Sequence, residues 1–220
     1  PGGLLADLDL VFLCVPPDRM ESALAFASAR TRALLTDVAS VKGPVMAAAA
    51  RVAPRPRFIG GHPMAGSERH GYSVSSATLL ENAVYVLTPP EEPADSSSPS
   101  EEPSAPSDLA ALEDLVRTLG ALPVVMPADR HDRAVAAVSH LPHLAASALC
   151  LLASDAGEDN PDEGGILRLL AAGGFRDLTR IASSDPALWT GIALASAPAL
   201  VPILRRFRDR VESLETALAA

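Results

Sequence analysis

Basic residues are in the minority in this chain. Its 18 lysines and arginines stand against 27 aspartates and glutamates, a formal charge of −9 over 220 residues. There is no basic stripe and no aromatic–basic interleaving, which excludes nucleic acid as an expected partner. Cysteine is scarcer still. Cys14 and Cys150 lie in apolar runs, with no metal-ligand spacing and no disulfide framework. They read as two buried, reduced thiols, which suits a cytoplasmic protein. No signal-peptide pattern stands ahead of the first strand. The run from Ala187 to Leu204 is uncharged and long enough to approach a membrane span, but it holds Thr190, Gly191, Ser196, Pro198 and Pro202. It reads as a buried or interface helix, and no membrane is expected.

What is present is apolar material, 48% of the residues, enough for a substantial core. Leu8 to Val15 is a near-continuous apolar run stopped by Pro16-Pro17, the pattern of a parallel strand buried on both faces. A helix is expected over Arg19–Ala29, a second strand over Ala33–Val38, and a second helix over Val41–Val52 with Ser40 as its N-cap. Further strands are expected over Arg57–Gly61, Asn82–Thr88 and Leu122–Met126. Alternating strands and helices indicate an α/β fold, a partial Rossmann-like (doubly wound, mostly parallel) sheet.

Residues 89–108 are proline, serine and acid with nothing to bury, so a disordered surface insert is expected there. A helix over Leu109–Leu119 follows it. Beyond Pro127 the pattern becomes helical only, so the domains are expected as 1–127 and 128–220. Asp129–Ala153 reads as one long helix bent at Pro142, Gly157–Gly165 as a loop, and Ile166–Ala182 as a helix despite Gly173-Gly174. Asp185-Pro186 supplies an N-cap acid and a first-turn proline. Val201–Ala219 reads as an amphipathic closing helix aided by Arg208 with Glu212.

Chemistry concentrates where three parallel strands end, because ligands of open α/β sheets sit outside the carboxyl ends of the strands. These ends carry Val15-Pro16-Pro17, then Ser40, then Gly60-Gly61-His62-Pro63-Met64-Ala65-Gly66-Ser67-Glu68. A histidine there is suited to proton transfer near neutral pH; the alternative is a turn histidine satisfied by backbone. Ser40 is either a helix cap or a hydroxyl in the site. Arg176 and Arg180 share a face if their segment is helical. They either pair with Asp177 or bind a carboxylate ligand through their planar forks. Trp189 is a core residue or a pocket wall. His131, His140 and His143 lack the further ligands a metal site needs, so no metal is expected; one or two of them facing solvent or a partner subunit is the plainer expectation.

The segments DVASVKGPV, FIGGHPMAGSE, ENAVYVLTP, AVSHLPHLAA and GGFRDLTRIASSDPALW, in that order, closely resemble the prephenate and arogenate dehydrogenase family of tyrosine biosynthesis. The resemblance implies a nicotinamide-binding domain followed by an all-helical dimerisation domain, and therefore a homodimer. It implies oxidative decarboxylation of prephenate, or of arogenate, with NAD or NADP. Under it His62 takes the proton of the substrate C4 hydroxyl and Ser40 supports it. Arg180 binds a substrate carboxylate, Arg176 with Asp177 stands nearby, and Trp189 forms a pocket wall. Glu68 sits at the pocket mouth, and one of His140 and His143, His143 by preference, lines the pocket. Val15, Pro16, Pro17 and Ser40 contact the nicotinamide side of the cofactor.

One departure follows from the same comparison. The family opens with a strand, a G-x-G-x-x-G turn and a helix, and no part of this sequence matches that fingerprint. Because such a turn cradles the pyrophosphate, the chain is expected to lack the first half of the dinucleotide domain and to bind cofactor poorly by itself. The alternative of a different class is a non-catalytic, dimeric remnant that binds an anionic ligand. Another two-domain dehydrogenase of the hydroxyacid or imine-reducing kind is a third. The sequence does not separate prephenate from arogenate or NAD from NADP, and it is silent on feedback by tyrosine.

Overall fold

A computed structural model describes residues 5, 7–66, 71–90, 106–159 and 161–220, without the side chains of 106, 157–159 and 161–163. Five strands form one sheet: β1 (Leu10–Leu13), β2 (Leu34–Asp37), β3 (Phe58–Pro63), β4 (Val84–Thr88) and β5 (Leu122–Val125). They lie in chain order, β1-β2-β3-β4-β5. β1–β2, β2–β3 and β4–β5 are parallel, and β3–β4 is antiparallel. The sheet is therefore mostly parallel.

Every residue of β2 is buried, and successive side chains enter opposite layers. Leu35 packs with Leu13, Phe58, Met20 and Leu24 of α1 (Met20–Ser28), and Val45 of α2 (Gly43–Arg51). Leu34 packs with Ile59, Tyr85, Leu87, and Leu112 and Val116 of α3 (Pro106–Thr118). Each such leucine contributes about 1.5–3 kcal/mol by leaving water. Burial on both faces holds for β2, whereas the outer strands β1 and β5 leave Phe12, Leu122, Val124 and Val125 exposed, short of the two-faced burial expected of the first run.

Local expectations are corrected at several points. β3 extends through Pro63, so His62 belongs to the strand and not to the turn after it. Ser40 does not cap α2, which begins at Gly43 with no capping side chain of its own. α3 starts at Pro106, inside the segment expected to be a disordered insert; residues 91–105 and Glu68 lie outside the described residues. Cys14 is exposed and Cys150 half-buried, so the two thiols are not both core residues.

The contacts divide the chain into two units, one running to Gly66 and resuming from Gly71 to Arg133, the other from Ala134 to Ala220. The division falls inside a continuous helical stretch, somewhat beyond the boundary expected at residue 127. That stretch is α4 (Ala128–Val135), a π-helical turn (Ala136–His140) and α5 (Leu141–Asp159). Leu141 N–H donates to Ala136 C=O across the widened turn. Pro142 offers no N–H and its ring crowds the preceding turn, so the helix widens there instead of simply bending.

In the second unit α5 packs on α6 (Pro161–Leu170), on α7 (Gly173–Thr179), on the 3₁₀ turn Arg180–Ser183 and on α8 (Pro186–Ala219). The loop expected over Gly157–Gly165 is helix on both sides of residue 160, and Gly173-Gly174 open α7 instead of interrupting a longer helix. Asp185 Oδ1 accepts from Ala187 and Leu188 N–H, the expected cap. α8 then runs unbroken through Pro198 and Pro202, joining two expected helices. Only Ile192, Ser196 and Leu200 of α8 are buried. The Ala187–Leu204 stretch, expected as a buried or interface helix, thus buries only these three residues in the single chain. Arg208 makes its close ion pair with Asp209, and the expected partner Glu212 adds a weaker attraction. The stretches Ala128–Ala156 and Pro186–Ala219 are long and apolar enough to cross a membrane by length and composition alone.

Candidate active site

β1, β2 and β3 run side by side and end at Leu13, Asp37 and Pro63, so their carboxyl ends form one edge. Gly60 and Gly61 keep that edge tight. A Cβ on Gly61 would stand 2.5 Å from the Asp37 carbonyl oxygen and 3.0 Å from Thr36 Oγ1. One on Gly60 would meet Met46 Sδ at 3.0 Å. The paired glycines thus let β3 approach the end of β2 closely.

An ion pair fills this space. Lys42 and Asp37 are both fully buried and bonded to each other, Nζ to Oδ2. Lys42 Nζ also donates to Gly61 C=O at 2.6 Å. Asp37 Oδ1 accepts from Gly61 N–H and Oδ2 from Ala39 N–H, each at 2.9 Å. Burial pushes the lysine down from its usual range, opposed by the adjacent Asp37. The lysine thus donates to two acceptors and the carboxylate accepts from three donors, which is what makes a buried pair tolerable. Burial, with Asp37 second, pushes the Tyr85 phenol up, so it stays protonated.

His62 follows directly on Gly61 and is buried, at 8% exposure. Its Nδ1 lies 2.8 Å from Nε2 of His131, a residue of α4 that is itself 1% exposed. His131 Nδ1 lies 2.7 Å from Asp132 Oδ1. Asp132 holds the start of α2, accepting from Lys42 N–H at 2.7 Å and from Gly43 N–H at 2.8 Å. Burial would raise its pKa, but the bonds from His131 and the two backbone amides hold it below the usual carboxylate range.

Ser40 is half-buried at the end of β2, beside that edge, and makes no hydrogen bond to His62. Val15 and Pro17 are half-buried and Pro16 exposed, an apolar rim after β1. The sequence singled out His62 but not Asp37, Lys42 or Asp132, and it left His131 among histidines expected to face solvent or a partner. The available signals were the acid five residues before Lys42 and the adjacent His131-Asp132 at a helix start.

The second unit holds a separate aromatic cluster. Trp189 stacks on His143, with centroids 3.5 Å apart and planes 12° from parallel, and meets His140 edge-on at 6.0 Å. His140 Nδ1 lies 2.8 Å from Ser196 Oγ. Both histidines are buried, against the solvent-facing expectation, and burial pushes His143 down toward the neutral form. The Arg180 N–H donates to the Arg176 carbonyl, so the two arginines keep helical spacing across the end of α7. Arg176, Asp177 and Arg180 are exposed. No group of three His, Cys, Asp or Glu suited to a metal occurs among the described residues.

Comparison with known proteins places this arrangement. Residues 3–98 match the family model described as prephenate dehydrogenase, nucleotide-binding domain, and residues 127–220 match prephenate dehydrogenase, dimerization domain. The chain is 32% identical over 213 residues to a prephenate dehydrogenase of Lactococcus lactis, covering 94% of this chain and 54% of that protein. It thus spans about half the length of that relative. The crystal structure of Synechocystis arogenate dehydrogenase superimposes with a TM-score of 0.79 at 32% identity, over 100% of this chain and 74% of that one. Prephenate dehydrogenase from Aquifex aeolicus, in complex with hydroxyphenyl propionate and NAD+, gives 0.81 at 28%, over 96% and 69%. With both of its parts matched, the chain belongs to the prephenate dehydrogenase family.

Proposed function

We propose that this chain carries the substrate-handling part of a cytoplasmic, homodimeric enzyme that oxidatively decarboxylates prephenate, or arogenate, in tyrosine biosynthesis. The observation that carries the reading is His62, buried at the carboxyl edge of the parallel strands and hydrogen-bonded through one ring nitrogen. In this reading His62 accepts the proton of the C4 hydroxyl as C4 becomes carbonyl-like. The C1 carboxylate leaves as carbon dioxide, its bonding electrons aromatise the ring, and the proton returns from His62 to the phenolic oxygen. No net proton is consumed.

Bound NAD or NADP would take up the hydrogen and electron pair that leave C4. Val15, Pro16, Pro17 and Ser40 suit the nicotinamide end, since they offer an apolar rim and a half-buried hydroxyl beside the sheet edge. A glycine-rich turn for the pyrophosphate is not among the residues of this sequence. Arg180 binds a substrate carboxylate, with Arg176 and Asp177 adding charge nearby. Trp189 and His143, with His140 behind them, form an aromatic wall.

The test follows the absorbance of reduced nicotinamide with prephenate or arogenate and each cofactor. It is run on the chain as given and on a version preceded by a glycine-rich nucleotide-binding segment. Turnover in the second version supports the reading. Its absence with both substrates and both cofactors contradicts it and favours a non-catalytic, anion-binding protein.

A further inference from the structure

His62 is one end of a line of three side chains whose other two members no part of the family reading uses. The order is Asp132 Oδ1, His131 Nδ1 at 2.7 Å, His131 Nε2, then His62 Nδ1 at 2.8 Å. His131 is 1% exposed, so water does not replace either contact. Asp132 in turn is fixed by two backbone amides at the start of α2.

The proton positions along this line follow from the chemistry of its ends. An ionised carboxylate only accepts, so His131 Nδ1 must carry the hydrogen toward Asp132. A neutral imidazole has one N–H, so His131 Nε2 is then an acceptor. His62 Nδ1 must therefore donate to it. That leaves the lone pair of His62 on Nε2. Which nitrogen of a histidine bears the proton is set by the bond its other nitrogen makes.

We propose that His131 and Asp132 are positioning residues for His62: together they lock its imidazole in the Nδ1–H tautomer, so that Nε2 is always the proton acceptor presented to substrate. When His62 takes up a proton at Nε2, Nδ1–H stays bonded to His131, and no group in the line has to move. Asp132 is held at the positive end of α2, which favours its ionised form at all times. Without this line an imidazole in water spends most of its time as the Nε2–H tautomer, which cannot accept there. The proposal rests on the functional reading above for its use of the lone pair; the tautomers themselves do not depend on that reading.

The measurement is long-range ¹H–¹⁵N correlation on the chain labelled at histidine, at about pH 8 where unperturbed imidazoles are neutral, with His62→Asn to assign the signals. Both His62 and His131 should show a protonated Nδ1 and a bare Nε2. His131→Phe should shift His62 toward the Nε2–H form, whereas His131→Gln, which keeps an acceptor, should hold it. A parent whose His62 is already in the Nε2–H form overturns the proposal, and this needs no variant to fold. So does a His62 tautomer unchanged in a folded His131→Phe.

The kinetic arm uses the version with the glycine-rich segment. His131→Phe should lower kcat about tenfold with little change in KM, less than the ~10²–10⁴ a general base supplies, because His62 still visits the productive tautomer. An active parent with unchanged kcat in His131→Phe overturns the positioning role alone. A parent inactive with both substrates overturns the functional reading, and with it the use made of the lone pair.

Discussion

His62 owes its place to the residue before it. Gly61 has no Cβ, so its backbone reaches both the Asp37 carboxylate and the Lys42 ammonium. Replacing it with alanine puts a methyl group against a backbone oxygen that cannot rotate away. We expect Gly61→Ala to lose about 1–3 kcal/mol, the usual cost of overpacking, read as a lower denaturant midpoint; an unchanged midpoint would contradict the close approach. At this scale the sequence was partly legible. The glycine pair before a histidine announced a tight strand end. His131 was not legible as its partner, because 69 residues separate the two and the contact exists only once α4 is folded against the sheet edge. Lys42 was not singled out either, since nothing local tells a buried ion pair from a solvated one.

Among the elements, α2 shows how a cap can come from elsewhere. Its N-terminal amides bond to Asp132, 90 and 89 residues away, and not to the serine that sequence rules favour. Ser40 was a reasonable expectation because N-cap preferences are local, whereas this cap is tertiary. Asp132→Ala should cost about 2–4 kcal/mol, from a lost cap together with a buried histidine donor left unpaired. Asp132→Asn, which keeps a capping oxygen, should cost less. The pH dependence has a definite sign. The folded-state pKa of Asp132 is depressed, so its contribution is complete above the ordinary carboxylate value near 4 and fades as pH falls through the lower folded value. Urea midpoints of parent and Asp132→Asn should therefore converge in acid; a gap that persists unchanged at low pH would contradict this. The helical half misled in the other direction. Its Gly, Asp, Asn and Pro around residue 160 suggested a long loop. Yet proline is well placed at the first residue of α6, and α5 runs as far as Asp159.

For the whole molecule, the strand–helix alternation and the change to helices were readable because buried strands and amphipathic helices leave different periods in the sequence. What the sequence could not give was which helical faces stay uncovered. On α8, Leu204, Phe207, Val211, Leu214 and Leu218 follow a 3-4-3-4 spacing and all are exposed. That is the seam of a helix that packs lengthwise on another helix, and it lies in the segment matched by the dimerization-domain model. A second copy of this chain is the proposed occupant. Sedimentation equilibrium should give a dimer, and Leu214→Glu, which buries a charge in the seam, should shift it toward monomer; a parent that is monomeric at micromolar concentration would contradict the assignment.

The proposed chemistry turns on one nitrogen of His62 accepting a proton from substrate. The most direct measurement is kcat of His62→Asn beside its parent, both carrying the glycine-rich segment. Asparagine keeps a side chain of similar reach but has no basic nitrogen. A fall of about 10²–10⁴ in kcat, with KM little changed, is the predicted result. Equal kcat in the two proteins would show that the proton leaves by another route.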